Sequence, residues 1–561
     1  MTTHVHSPIE PRSGSSDEFA RAWQDWWLSL YARPELAQAL AQDAVARTTE
    51  SWRFALGASM GQTLPHGSSD PQFQDESWNH WPFNVYAHNH SSFSQWSAQT
   101  LAPAAGISSG SALRLNFLQR QLLDASSPAH YLLTNPELLQ QSRAESGANL
   151  LRGAQYWLED LTRTIEGSPA PGTLKYRVGE QVAITPGKVV MRNELIELIQ
   201  YSPQSPDVHA EPILITPAWI MKYYVLDLSP HNSLVRYLVG QGHTVFMISW
   251  RNPTAADRDL ALDDYLRLGL RAALDAVSAI VGAPRVHMAG YCIGGTLLSI
   301  GAAALAREGD RRIASVTLFA SQTDFSEPGE LAVFISPAQL ELLQLLMQRD
   351  GVLASERMSA AFALLRAGDL LWAPAINQYL RGERGSMNDL MAWNADGTRM
   401  PCRMHSEYLT RLYLNNELAT GQFTVGGTPV ELQQITVPMF VVGTETDHVA
   451  PWRSAYKTRA LTRSSDFSFV LTSGGHNAGI ISGPVNPKRR HRVLRWQDQT
   501  TTPSPEQYLA EAEVCAGSWW PAWQQWLARH SSPDRIAPSP LGNAAAGYPP
   551  LSDAPGGYVR G

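Results

Sequence analysis

Between about residue 175 and residue 530, short apolar runs alternate with longer stretches whose apolar positions recur at helical spacing. The runs include Lys188–Met191, Pro212–Thr216, Thr244–Ser249, Arg285–Ala289, Ile313–Ala320, Pro438–Val442 and Phe467–Leu471. Each is too short for a stable helix, and most lack polar alternation, which predicts strands buried on both faces. Helical patterns over Leu234–Val239 and Tyr265–Val281 separate them. Strands alternating with helices predict an α/β fold, a mostly parallel sheet covered by helices. From about 326 to 430 the pattern is helix-rich and offers no strand in that register. Such a stretch predicts an insertion over the carboxyl edge of the sheet, that is, a lid.

Upstream, Ser16 to about Ala46 is helical, with Trp23, Trp27, Leu30 and Tyr31 at helical spacing. Pro34 divides this stretch into two helices. Two readings stand: the pair packs on its own domain, or its tryptophans meet a lipid-like or polymer surface or a second subunit. The pattern gives a flexible start over 1–16, a mostly helical N-terminal domain over 17–175, a catalytic domain over 176–530 with the lid inside it, and an extended tail over 531–561 rich in Pro, Gly, Ala and Ser.

Composition narrows the class. At 561 residues the chain suits a large catalytic domain with additions, and 17% charged against 44% apolar residues is an ordinary globular balance. A net charge of −7 gives no basic field for nucleic acid. Cys292, Cys402 and Cys515 are far apart without a CxxC pair, so neither a disulfide framework nor a structural zinc site is expected, and a reducing cytoplasm fits a free catalytic thiol. The start Met1–Pro8 lacks the basic and apolar blocks of a signal peptide. Met288–Ala306 carries no charged side chain and reaches transmembrane length, but four glycines and a turn inside it predict a buried strand, turn and helix instead.

That turn carries the candidate chemistry. Gly290-Tyr291-Cys292-Ile293-Gly294 has the form of a nucleophile elbow, with cysteine where a hydrolase usually carries serine. A thiol exchanges an acyl group with another thioester at little thermodynamic cost, whereas a serine ester would discard that energy. The order nucleophile, acid, histidine is completed by Asp447, after the strand ending at Val442, and His476, after the strand ending near Leu471. Both lie past strand carboxyl ends, where an open α/β sheet gathers its site. His476 would take the thiol proton, and Asp447 would orient the imidazole. Glu445 and Asp324 are rival acids, the second with a helix-capping alternative. The oxyanion hole would use the Ile293 N–H and one from the loop after Ile213–Ile215, nominated as Ile220 with Trp219 competing. Gly106-Ile107-Ser108-Ser109-Gly110 also matches a serine elbow, but no strand precedes it, and it reads as the N-cap of a helix over Ala112–Leu123. The basic run Lys488, Arg489, Arg490 could bind phosphates or form a solvated face. No metal-ligand spacing is present.

A series of further segments in one order resembles the polyhydroxyalkanoate synthases, long single-subunit type, from about Asp70 to Leu527. They include Thr134-Asn135-Pro136-Glu137, Lys222–Leu228, Ser249–Pro253, Thr323–Gly329, Trp393–Asp396, Asp447–Trp452 and Gly517-Ser518-Trp519-Trp520. The resemblance implies an α/β-hydrolase fold and an acyltransferase that polymerises 3-hydroxyacyl-CoA into polyester through Cys292, with His476 and Asp447. It implies no cofactor, since CoA is part of the substrate and a product, with Lys488, Arg489 and Arg490 as possible contacts for its phosphates. It also implies a homodimer, contact of the N-terminal region with the growing polyester granule, and a cytoplasmic, granule-associated location. Neither a nucleic-acid partner nor a transmembrane segment is expected. A cysteine-dependent thioesterase or depolymerase would share the same triad. The chain departs from the pattern at Met221, where Asn is usual, at Ser473–Asn477, where Ser-Gly-His-Ile is usual, and at Ser482-Gly483-Pro484.

Overall fold

The computed structural model describes residues 15–62, 64–101, 107–484, 486–497 and 502–561. Of the expected flexible start over 1–16, residues 1–14 lie outside the described residues. The chain divides into two compact units, one of Met1–Ala170, Ala332–Gln339 and Ala360–Ser386, the other of Pro171–Leu331, Leu340–Ser359 and Met387–Gly561.

The first unit is helical. Its long helices are α1 (Ser15–Tyr31), α2 (Pro34–Ser59), α3 (Phe83–Leu101), α4 (Ser109–Ser126), α5 (Pro136–Ala144) and α6 (Ala148–Glu166). Pro34 opens α2, where its missing N–H costs nothing. Trp26 is buried and donates from its indole to the Thr100 carbonyl at 3.2 Å, while Trp27 and Tyr31 on the same helix are exposed. The tryptophan-bearing helix thus has one packed face and one exposed face. Part of the insertion belongs to this unit for a visible reason. Arg381 pairs with Glu137 at 2.9 Å, Asn149 donates to the Leu380 carbonyl at 2.8 Å, and Trp372 stacks on His130 with ring centres 4.8 Å apart.

The second unit is built on eleven strands: β1 (Gly187–Arg192), β2 (Ile196–Tyr201), β3 (Ile213–Thr216), β4 (Val245–Trp250), β5 (Val286–Tyr291), β6 (Ile313–Phe319), β7 (Met439–Thr444), β8 (Phe467–Thr472), β9 (Arg490–Trp496), β10 (Glu513–Ala516) and β11 (Ser552–Asp553). Their order is β10-β9-β8-β7-β6-β5-β3-β4-β2-β1-β11. The block from β4 through β3, β5, β6 and β7 to β8 is parallel, and the strands outside it pair antiparallel. Strands β3 to β8 are buried along their length, as covered parallel strands must be. Met288–Ala306, the stretch that mimics a membrane span, is β5, a turn and the buried helix α7 (Ile293–Arg307). Among the described residues no single helix is long and apolar enough to cross a membrane.

Residues 531–561, expected as an extended Pro-, Gly- and Ala-rich tail, make specific contacts with the sheet. Arg535 and Ile536 pair with His209 and Val208, and β11 adds to the edge of the sheet against β1. Beyond it the buried Glu197 carboxylate accepts the N–H groups of Gly557 and Tyr558, each at 2.9 Å. A Pro- and Gly-rich chain can add an edge strand and satisfy a buried charge, and composition does not display either contact.

Candidate active site

Cys292 sits between β5 and α7 with φ 53° and ψ −128°, a strained left-handed backbone for a residue with a side chain. The strain is held by close approaches that only glycine permits. A Cβ on Gly290 would lie 2.4 Å from the Gly295 Cα, and one on Gly294 would lie 2.3 Å from the Thr216 carbonyl oxygen. Ser321, past the end of β6, donates its hydroxyl to the Cys292 carbonyl at 2.6 Å and fixes the turn from the far side. The elbow therefore points its sulfur out of the carboxyl edge of the sheet, beyond strands whose ends carry the other two groups.

Asp447 follows β7 and is fully buried. Its Oδ1 accepts the N–H groups of Val449 at 2.9 Å and Ala450 at 2.8 Å. Its Oδ2 accepts the Thr444 hydroxyl at 3.0 Å and His476 Nδ1 at 2.8 Å. Burial alone would push this carboxyl up, but the His476 charge and hydrogen bond and these N–H donors hold it below the ordinary carboxylate value.

His476 follows β8 and is 11% exposed at its side chain. Burial disfavours its cation. The Asp447 carboxylate, whose Oδ2 accepts the hydrogen bond from the ring, and the neighbouring Cys292 sulfur outweigh burial and hold its pKa well above the ordinary histidine value. The structure brings the three residues together: the carboxylate bonds the imidazole, and the thiol lies within electrostatic reach of the ring. That arrangement can keep a thiolate beside an imidazolium and move one proton between sulfur, nitrogen and an incoming group.

The loop that carries His476 is pinned by groups whose role the sequence did not reveal. The indoles of Trp519 and Trp520 donate to the carbonyls of Gly479 at 3.0 Å and Ile480 at 2.9 Å. In the sequence, Gly517–Trp520 carries one signal for this role, its indole N–H groups, since buried indoles need an acceptor.

The rivals fall elsewhere. Glu445 pairs with Arg490 at 3.0 Å. The Asp324 carboxylate accepts the Ser326 N–H at 2.7 Å and the Asn416 amide at 3.0 Å, which makes it a turn cap. Ser108 of the second elbow-like match is the N-cap of α4, accepting the Ser111 N–H at 3.1 Å.

For the expected oxyanion hole, Ile293 is the first residue of α7, where a helix leaves N–H groups without an internal acceptor. Trp219 and Ile220 lie in the loop after β3. Thr398 grips that loop, its hydroxyl donating to the Trp219 carbonyl at 2.5 Å and its N–H to that of Ile220 at 3.3 Å. The basic run is partly committed: Arg489 donates to the Ser473 carbonyl at 3.1 Å and Arg490 pairs with Glu445, whereas Lys488 is exposed. From the insertion, helix α8 (Cys402–Tyr408) and the wide turn after it carry the buried Tyr408 and Tyr413. Burial raises both phenols, and the Cys292 charge raises them further. Cys402 and Cys515 are free thiols outside this cluster.

Residues 69–238 match the family model described as poly-beta-hydroxybutyrate polymerase (PhaC) N-terminus, and residues 211–482 match the alpha/beta hydrolase fold. A poly(3-hydroxyalkanoate) polymerase of Methylorubrum extorquens is 37% identical over 99% of this chain and 90% of its own length. A poly(3-hydroxyalkanoate) polymerase subunit of Rhizobium meliloti is 38% identical, covering 96% of this chain and 87% of that one. The corresponding subunit of Cupriavidus necator is 39% identical over 82% of this chain and 78% of its own.

Proposed function

The chain belongs to the poly(3-hydroxyalkanoate) polymerase family, and on that premise we propose that it polymerises 3-hydroxyacyl-CoA into polyester through an acyl thioester on Cys292. The observation that carries this reading is the 2.8 Å hydrogen bond from His476 to Asp447, with Cys292 beside the imidazole at the nucleophile turn.

The Cys292 thiolate attacks the carbonyl carbon of the CoA thioester. The bond to the CoA sulfur breaks, and the CoA thiolate leaves with the proton held by His476. Acylation removes the negative charge from Cys292, one of the causes that keep the imidazole protonated. The neutral ring is then the base that the next step needs. The hydroxyl oxygen of a second 3-hydroxyacyl unit attacks the thioester carbon, His476 accepts its proton, and sulfur leaves as thiolate. Asp447 has both oxygens occupied by four donors, which supports His476 as the base and Asp447 as its orienting partner. The N–H groups of Ile293 and Ile220 would stabilise the oxyanion, with Trp219 the alternative to the second. No cofactor enters this scheme. Charge for the CoA phosphates would come from Lys488 first, with Arg489 and Arg490 nearby in sequence. The exposed Trp27, Leu28 and Tyr31 on α1 support contact of this region with the polyester surface, and with it a granule-associated, cytoplasmic location and a dimer.

Incubation with 3-hydroxybutyryl-CoA tests the reaction. Rapid CoA release with insoluble polymer is expected, and Cys292→Ala should release none. CoA release with free acid as the sole product would assign the site to a hydrolase instead.

A further inference from the structure

Tyr291 ends β5 immediately before the nucleophile and is 2% exposed, and Asn477 follows the base immediately. The Tyr291 hydroxyl donates to Asn477 Oδ1 at 2.5 Å, and the Tyr291 ring centre is 5.5 Å from that of His476 at an interplanar angle of 35°. Asn477 is itself anchored, since its carbonyl accepts the N–H groups of Ile480 at 3.1 Å and Ile481 at 2.9 Å. From this geometry we infer that Tyr291 and Asn477 are positioning residues, a hydrogen-bonded clasp that sets the distance between the Cys292 turn and the His476 loop.

The physical reason is the placement of the link. The turn and the loop leave two different strands, β5 and β8, separated in the sheet by β6 and β7. Small independent movements of the two loops would stretch the sulfur–imidazole contact, and a misplacement of about 1 Å can cost about 100-fold in rate. A buried phenol needs an acceptor in any case, because an unpaired one is costly. Burial, together with the nearby Cys292 and Asp447 charges, holds the Tyr291 phenol far above its usual pKa, so the hydroxyl remains a donor throughout the working pH range.

The inference rests on the acyl-transfer reading, and its test uses two readouts that separate the two ideas. Tyr291→Phe, Asn477→Leu and the double variant are compared by CoA release from 3-hydroxybutyryl-CoA. They are also compared by the pH profile of iodoacetamide alkylation at Cys292, followed on its own peptide by mass. Each single variant is expected to lower kcat about tenfold with KM nearly unchanged, and to shift the alkylation profile. The double variant is expected to be about as slow as the worse single variant. It should regain the melting temperature, because it leaves no orphaned polar group. A double variant that regains both melting temperature and kcat would show that the bond satisfies burial alone and overturn the inference. Losses that multiply would overturn it as well. Should a single variant fail to fold, the double variant decides by the same criterion. An unmodified protein that releases no CoA, yet shows the expected alkylation shifts, would refute the proposed reaction and leave the clasp standing.

Discussion

Cys292 adopts a backbone conformation that few side-chain-bearing residues tolerate, and the glycines around it show why the turn survives. Gly294 lets the elbow approach the Thr216 and Pro217 carbonyls to a distance that a methyl group cannot share. Gly294→Ala should push the β3 loop, and with it the proposed Ile220 donor, away from the sulfur. A kcat loss of about 10²–10³-fold, the usual cost of one oxyanion donor, is expected in steady-state CoA release. Asp447→Asn acts on the base. It removes the largest influence that raises the His476 pKa. The charged imidazole exists below that raised pKa and is lost as pH rises through it, so the alkaline limb of the pH–rate profile should move to lower pH. Rate at neutral pH should fall on the order of 10³-fold or more, read from the same assay.

At the scale of elements, the histidine loop owes its position to the tryptophan-rich segment that ends in α9 (Trp520–Arg529). Two indoles hold the loop. A third, Trp523, is fully buried, donates to the Thr317 hydroxyl at 3.0 Å, and meets the Phe319 ring edge-on at 4.9 Å. Trp523→Ala removes a large ring from a closely packed site and should cost about 3–5 kcal/mol of stability, visible as a lower urea midpoint. The insertion shows how far pattern alone carries. Its helical character was readable, but its division between two units was not. That division depends on pairs such as Arg381 with Glu137, separated by more than two hundred positions.

Across the whole molecule, buried histidines set the acid limit. Burial pushes His287 and His405 down to about 4 and His243 well below its ordinary value. A base depressed in the folded state is neutral there but takes up a proton on unfolding. Stability is therefore full above about pH 6.5 and falls as pH drops through the window down to about 4. Denaturant midpoints at about pH 7 and about pH 4.5 should differ in that sense, and His287→Asn should flatten the dependence in this range. His287 joins Ser315 and Ser531 through its two ring nitrogens at 2.7 Å and 3.1 Å, which ties β5 to the start of the C-terminal segment.

The sequence by itself determined the alternation that makes a covered parallel sheet, the elbow, and the order of thiol, carboxylate and imidazole. These are local: a strand is encoded by its own apolar run, and a turn by its own glycines. Tertiary structure alone decided which indoles pin the His476 loop, how Tyr291 meets Asn477, and where residues 531–561 attach. Each of those contacts joins segments far apart in the chain, and long-range pairing leaves no periodic mark in the residues that make it.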